Sequence, residues 1–216
     1  MREAGARAAS TLYTYPMDRI EDPENPTRQP RKRKGPRKVT PEYLKKAALH
    51  YLEQRATSVE NLRRVLLRKV ERSAQVHDID RDEAVRWVDE VLERLTGLGL
   101  LDDQAFAEAR ALSLNRRGKG RQYIRARLGQ QGLSEDEVSG ALDNLEEEVP
   151  NADFQAAVAL ARRRGLGPWR LDPETRSLRR DRDMAALARA GFDYSVIRKI
   201  MEAETPDELD DWLSSS

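Results

Sequence analysis

Residues 121–145 read RQYIRARLGQQGLSEDEVSGALDNL, and this stretch decides the fold class. On each side of Gly132 the apolar side chains recur three or four residues apart, which is the spacing of a helix with one buried face. Gly132 suits the end of one helix, and Ser134, followed three residues later by Glu137, suits the start of the next. The stretch therefore predicts two helices joined by a tight turn.

The same pattern recurs along the chain, so the two helices belong to a repeat. An offset of 59 residues, from Gly132 to Gly191, superposes five apolar positions, and an offset of 62 places Leu62 and Leu66 on Ile124 and Leu128. We predict an all-α protein of tandem three-helix repeats that form an elongated, curved body, as is typical of proteins that bind other macromolecules. The predicted repeats are residues 43–99, 102–147 and 151–203.

The two ends of the chain differ from these repeats. Residues 1–38 contain five prolines and few large apolar side chains, which predicts a disordered basic tail. Order is expected to begin at Thr40 and Pro41, a cap followed by a favoured first helical residue. Residues 204–216 are expected to form an acidic C-terminal tail. Between the ends, the helix after Asp102 is expected to bury Phe106, Ala109 and Leu112.

Composition excludes several classes of function. The chain has no Cys and only two His, so a disulfide framework, a thiolate metal site and a zinc cluster are not expected. No catalytic Ser/His/Asp or Cys/His set can be assembled, and we expect neither an enzyme nor a cofactor. No apolar run approaches the length of a membrane span, which predicts a cytoplasmic protein without a membrane partner.

Charge is segregated along the chain although the net charge is only +1. Residues 28–38 and 109–134 each carry seven basic side chains and no acid, with acidic blocks elsewhere. Such blocks either solvate helix faces or form a surface for phosphates or an acidic protein groove. The residues that we predict to bind a partner or nucleic acid are Arg64, Arg68, Arg116, Arg117, Lys119, Arg121, Tyr123, Arg125, Arg127, Arg179 and Arg180.

Two motifs resemble catalytic or nucleotide sites but have simpler explanations. Asp102 and Asp103 form a carboxylate pair, yet their place before an apolar helix favours capping over metal or acid–base chemistry. Gly118-Lys119-Gly120 resembles a phosphate loop, but Ser113 stands where the Walker pattern needs Gly, and Gly120 where it needs Ser or Thr. We interpret it as a tight link between helices.

The chain resembles the RecX family of recombination regulators in four segments that follow one another in order. The first segment has Ala48, Tyr51-Leu52, Arg55, Ser58, Leu62, Leu66 and Lys69, and the second is Gly99-Leu100-Leu101-Asp102-Asp103-Gln104-Ala105-Phe106-Ala107. The third has Arg116-Arg117-Gly118-Lys119-Gly120 with Ile124, Leu128 and Gly132-Leu133, and the fourth has Leu187, Gly191-Phe192 and Ile197.

This resemblance implies three tandem three-helix repeats that bind in the groove of the RecA–DNA filament. It further implies loss of ATP hydrolysis and strand exchange by RecA, and some affinity for DNA. The alternative is a helical repeat protein that acts directly on single- or double-stranded DNA. Salt dependence separates the two, because displacement of counterions from phosphates makes DNA affinity fall steeply with salt.

Overall fold

The computed structural model describes residues 35–214, and over that range it contains helices and one 3₁₀ turn but no strand. The all-α prediction is therefore confirmed. The helices are α1 (Pro41–Gln54), α2 (Val59–Ala74), α3 (Arg81–Gly97), α4 (Asp103–Arg116), α5 (Arg121–Gln130), α6 (Glu135–Glu148), α7 (Ala152–Arg164), α8 (Pro173–Arg189), α9 (Tyr194–Glu202) and α10 (Pro206–Ser214), with the 3₁₀ turn at Gly167–Trp169.

The first nine helices form three successive groups of three, and each group encloses its own apolar core. This confirms the tandem three-helix repeats. We call α1–α3 repeat 1, α4–α6 repeat 2 and α7–α9 repeat 3. Leu66, Leu128 and Leu187 lie at the centres of the three cores and are 0% exposed. Full burial of one such leucine contributes about 1.5–3 kcal/mol, so each core holds its repeat together.

Local hydrogen bonds start α1, α4 and α6 where the sequence predicts. The Thr40 hydroxyl accepts the N–H of Tyr43 at 3.2 Å at the start of α1. Ser134 and Glu137 form the reciprocal capping box at the start of α6. Asp102 accepts the N–H of Ala105 at 2.9 Å, so its role as the cap of α4 is confirmed.

The two junctions between repeats use the same device. An aspartate in the first turn of one repeat accepts a backbone N–H from the start of the second helix of the repeat before it. Asp103 of α4 accepts the N–H of Val59 at 2.9 Å, and Asp153 of α7 accepts the N–H of Arg121 at 2.6 Å. These bonds satisfy helix-terminal N–H groups that have no partner within their own helix.

The second helices of successive repeats also meet head to tail. The Gly120 N–H donates to the carbonyl of Ala190 at 2.9 Å, so the start of α5 contacts the end of α8. Gly191 has φ +90°, and a Cβ placed there would lie 2.4 Å from the backbone nitrogen of Tyr123. This close approach explains why glycine occupies the turn after α8. At the other junction, the Ser58 hydroxyl donates to the carbonyl of Gln131 at 2.5 Å.

The prediction of which α4 side chains are buried is wrong. Ala109 is exposed and Phe106 and Leu112 are only partly buried, whereas Ala107 and Ala111 are 0% exposed. Small side chains allow α4 to pack closely against α6, so alanines occupy the contact that large side chains were expected to fill. Phe106 and Ala109 instead line an open groove between the end of α1 and α4.

The two ends of the described chain also differ from the prediction. Residues 204–216 were expected to form an acidic tail, but α10 covers Pro206–Ser214 because Leu209, 0% exposed, packs into the core of repeat 3. The predicted N-terminal tail lies outside the described residues up to position 34. Beyond it, the Ser73 hydroxyl donates to the Arg37 carbonyl at 2.9 Å and accepts the Val39 N–H at 3.0 Å, so residues before the predicted start at Thr40 already contact α2.

Candidate functional site

The basic face of α5 is largely paired with acids of α6. The Arg121 guanidinium lies 3.1 Å from Asp143, and Arg125 forms an ion pair with Glu135. All four side chains are partly exposed, so each pair contributes little to stability. The pairs nevertheless reduce the charge that α5 offers to a partner.

Arg64 and Arg127 are exposed, and both form hydrogen bonds with Gln130 at the end of α5. Arg64 of α2 lies 2.9 Å from Glu60 and donates to the Gln130 carbonyl at 2.9 Å. Arg127 donates to the Gln130 side chain at 3.2 Å. Arg64 therefore links repeat 1 to repeat 2, a structural role that the sequence did not predict.

The link between α4 and α5 presents basic side chains with fewer partners. Arg116 and Arg117 are exposed, and within residues 35–214 no acid forms an ion pair with either. The Lys119 ammonium lies 4.3 Å from the centre of the Tyr123 ring, which favours a cation–π contact. Tyr123 is half-buried against the core of repeat 2, so it stands at the edge of that core.

Arg68 and Arg180 each lie on the exposed side of their helices. Arg68 lies in α2 beside a shallow groove shared with α3. Arg180 of α8 places a guanidinium nitrogen 3.1 Å from the sulfur of Met184. Arg179, its neighbour in the sequence, lines a separate groove of repeat 3. The predicted pair Arg179 and Arg180 is thus divided between two sides of α8.

The groove beside Arg179 brings five arginine side chains together. It has a volume of about 590 Å³, and we call it the arginine groove. Its charged lining residues are Arg164, Arg170, Arg179, Arg182, Asp183 and Arg189. Sequence reasoning named only Arg179. The spacing of positions 179, 182 and 189 along one face of α8 was the signal that could have found two of the others.

Asp183 at the base of the arginine groove is engaged by repeat 3 itself. It is 1% exposed and accepts two bonds from the Arg170 guanidinium, at 2.7 and 2.8 Å, and one from the Gly167 N–H at 3.1 Å. Burial opposes ionisation, but the bonds from Arg170 and Gly167 outweigh it and lower the pKa of Asp183. Arg170 is therefore paired with Asp183, Arg179 also favours the charged form of Asp183 from beyond ion-pair distance, and no ion pair within residues 35–214 engages Arg164, Arg182 or Arg189.

The two junction aspartates show the opposite shift. Burial raises the pKa of Asp153 to about 6, although the bond from the Arg121 N–H opposes this. Burial also raises the pKa of Asp103, helped by nearby Glu137 and Asp102 and opposed by the Val59 N–H.

Within residues 35–214, no group of three or more His, Asp or Glu side chains is placed to hold a metal ion. No helix in that range is long and apolar enough to cross a membrane.

Comparison with known proteins gives one consistent result. Residues 102–142 match the family model described as RecX, second three-helix domain. A regulatory protein RecX from Myxococcus xanthus is 42% identical over 170 residues, covering 79% of this chain and 90% of that protein. One from Agrobacterium fabrum is 29% identical over 175 residues, covering 81% and 89%.

The solved structures agree at the level of the fold. The crystal structure of RecX from Lactobacillus salivarius superposes with a TM-score of 0.55 at 20% identity, covering 79% of this chain and 96% of that chain.

Proposed function

Since this chain belongs to the RecX family of regulatory proteins, we propose that it binds the filament of the RecA recombinase on DNA and reduces its ATPase and strand-exchange activity. The observation that carries this proposal is the 42% identity to a RecX regulatory protein across 90% of that relative's length. The same proposal makes the chain a cytoplasmic, non-enzymatic modulator of recombination and repair.

The surface of repeat 2 supports a binding role. Arg116 and Arg117 project from the link between α4 and α5, where Arg163 of repeat 3 donates to the Arg117 carbonyl at 3.3 Å. Three guanidinium groups from two repeats are therefore brought to one link. Arginine forms charge-assisted, two-pronged hydrogen bonds with carboxylates, which suits the acidic groove of a protein partner.

The direct test is the rate of ATP hydrolysis by RecA on single-stranded DNA, measured with and without this protein. We expect the rate to fall, and to stay low when bare DNA is added in large excess. Inhibition that disappears under excess DNA contradicts the proposal and favours a protein that sequesters DNA.

A matched pair of variants locates the contact. Arg116→Glu reverses a charge at the α4–α5 link, and Arg86→Glu reverses an exposed charge on α3 that has no ion pair within residues 35–214. One charge-assisted hydrogen bond contributes about 1.5–3 kcal/mol, so Arg116→Glu should weaken inhibition about tenfold or more. Equal inhibition by both variants, with unchanged circular dichroism, contradicts a role for the link.

Salt dependence separates this function from direct action on DNA. On bare duplex DNA the log–log slope of affinity against salt is about 0.9 per phosphate contacted. Apolar and hydrogen-bonded contacts share the binding energy at a protein interface, so we expect a shallower slope on the filament. Binding to bare DNA as tight as binding to the filament at physiological salt favours the alternative function.

A further inference from the structure

The arginine groove concentrates positive charge that the fold does not use. Arg170 forms an ion pair with Asp183, which is the only acidic residue among the described residues that line the groove. No ion pair within residues 35–214 engages Arg164, Arg179, Arg182 or Arg189. Several like charges along one groove create a positive potential that attracts an anion.

The arrangement of these charges indicates the shape of the anion. Arg179, Arg182 and Arg189 lie along one face of α8, and Arg179 and Arg189 are separated by about 15 Å of helix rise. A single phosphate or carboxylate can contact only one or two side chains at that separation. The groove therefore fits an extended polyanion that places successive charges along the helix.

The lining of the groove favours nucleic acid over an acidic protein segment. Only Leu166 and Ala186 contribute aliphatic side chains to it, and among the described residues no aromatic side chain lines it. Protein interfaces have an apolar or aromatic core, whereas contacts with a phosphodiester backbone are made mainly by arginine and lysine. Guanidinium groups also match phosphate oxygens in two-pronged geometry.

We propose that the arginine groove of repeat 3 binds the phosphodiester backbone of a nucleic acid. Arg164, Arg179, Arg182 and Arg189 contact successive phosphates, and the Asp183–Arg170 pair holds the base of the groove. This site adds a nucleic-acid contact to the RecA-directed function proposed above and does not depend on it. It also differs from the basic face of α5, where the guanidinium groups of Arg121 and Arg125 are already paired.

The test compares two charge reversals at exposed arginines. Arg182→Glu alters the groove, whereas Arg86→Glu changes an arginine on α3 in repeat 1 and serves as the control. Both arginines are exposed, so neither change removes a buried side chain, and circular dichroism checks the fold. The full chain is titrated against fluorescein-labelled DNA, single-stranded and duplex, without RecA, and binding is followed by fluorescence anisotropy.

We expect Arg182→Glu to weaken DNA binding about tenfold or more relative to Arg86→Glu. For each phosphate that the variant no longer neutralises, the salt slope should fall by about 0.7 on a single strand and about 0.9 on a duplex. The basic run at 28–38 is the same in both variants, so it cannot produce the difference. Comparing the two DNA forms shows which one supplies the phosphates.

Two results overturn the inference. One is equal DNA affinity of the two variants on both DNA forms. The other is displacement of DNA from the wild-type chain by polyglutamate as effectively as by unlabelled DNA, which assigns the groove to an acidic protein. Because the titration contains no RecA, its failure is distinct from failure of the proposed function, which is read from the RecA ATPase rate.

Discussion

Asp153 offers a sharp test of how one repeat is held to the next. Its carboxylate accepts the backbone N–H of Arg121 at 2.6 Å, across the junction between repeats 2 and 3. The residue before Arg121 is Gly120, which has no side chain to cap α5. Asp153 therefore supplies the cap that α5 lacks, and replacing it with alanine leaves that N–H without an acceptor.

The expected cost follows from removing a helix cap at a partly buried site. Removing a capping side chain costs about 0.5–2 kcal/mol, and an unsatisfied buried N–H costs about 1–3 kcal/mol. Relief of the buried charge offsets part of this, so we expect Asp153→Ala to reduce the free energy of unfolding by about 1–2 kcal/mol. For a domain of this size that reduction lowers Tm by about 2–8 °C.

Two further variants at this junction serve as controls. Asp143→Ala removes the exposed ion pair with the Arg121 guanidinium and should cost under about 1 kcal/mol. Asp153→Asn keeps an oxygen acceptor and removes the charge, so it should cost less than Asp153→Ala. Thermal denaturation followed by circular dichroism measures Tm, and hydrogen exchange of the Arg121 amide reports on the junction itself. The reasoning is refuted if Asp143→Ala lowers Tm as much as Asp153→Ala.

The same residue predicts a pH dependence with a definite sign. Asp153 has a pKa of about 6 in the folded protein, whereas an aspartate in the unfolded chain titrates near about 3.9. Between these values the folded protein binds more protons than the unfolded chain. The stability due to this group therefore rises as the pH falls from about 6 to about 4. The difference in Tm between wild type and Asp153→Asn should change over that interval and stay constant above it.

Further predictions concern glycine, a buried carboxylate and the last helix. Gly191→Ala should cost more than about 1 kcal/mol because of its φ of +90° and its close approach to backbone, whereas Gly129→Ala, with nothing within 4 Å, should be neutral or stabilising; Tm measures both. Because folding lowers the pKa of Asp183, the ionised carboxylate stabilises the wild type above about pH 4, and this stability is lost as the pH falls further. Asp183→Asn should lack this contribution, and urea denaturation at several pH values checks the difference. Leu209→Ala should cost about 2–5 kcal/mol and Leu178→Ala, 84% exposed in wild type, almost nothing; equal urea midpoints contradict the packing of α10.

The arginine positions show why the candidate site was only partly predictable. Spacing along α8 is enough to place Arg179, Arg182 and Arg189 on one face. Arg164 and Arg170 join them only because α7 and the 3₁₀ turn pack beside α8. Spacing likewise placed Arg121 and Arg125 beside a buried stripe, but the acids that pair with them lie on another helix.

By itself, the sequence determined the all-α fold class, the starts of α1, α4 and α6, and the grouping of helices into repeats. Capping at Thr40 and Ser134, the period of the apolar residues and the turn at Gly132 depend on interactions within about four residues, so they can be recognised before any packing is known. Only the tertiary structure decided which charges remain unpaired, why alanines rather than Phe106 line the core side of α4, and that α10 packs into repeat 3. The physical reason is that ion pairs, close helix packing and grooves join side chains that are distant in the chain, and their energies depend on distances that only packing sets.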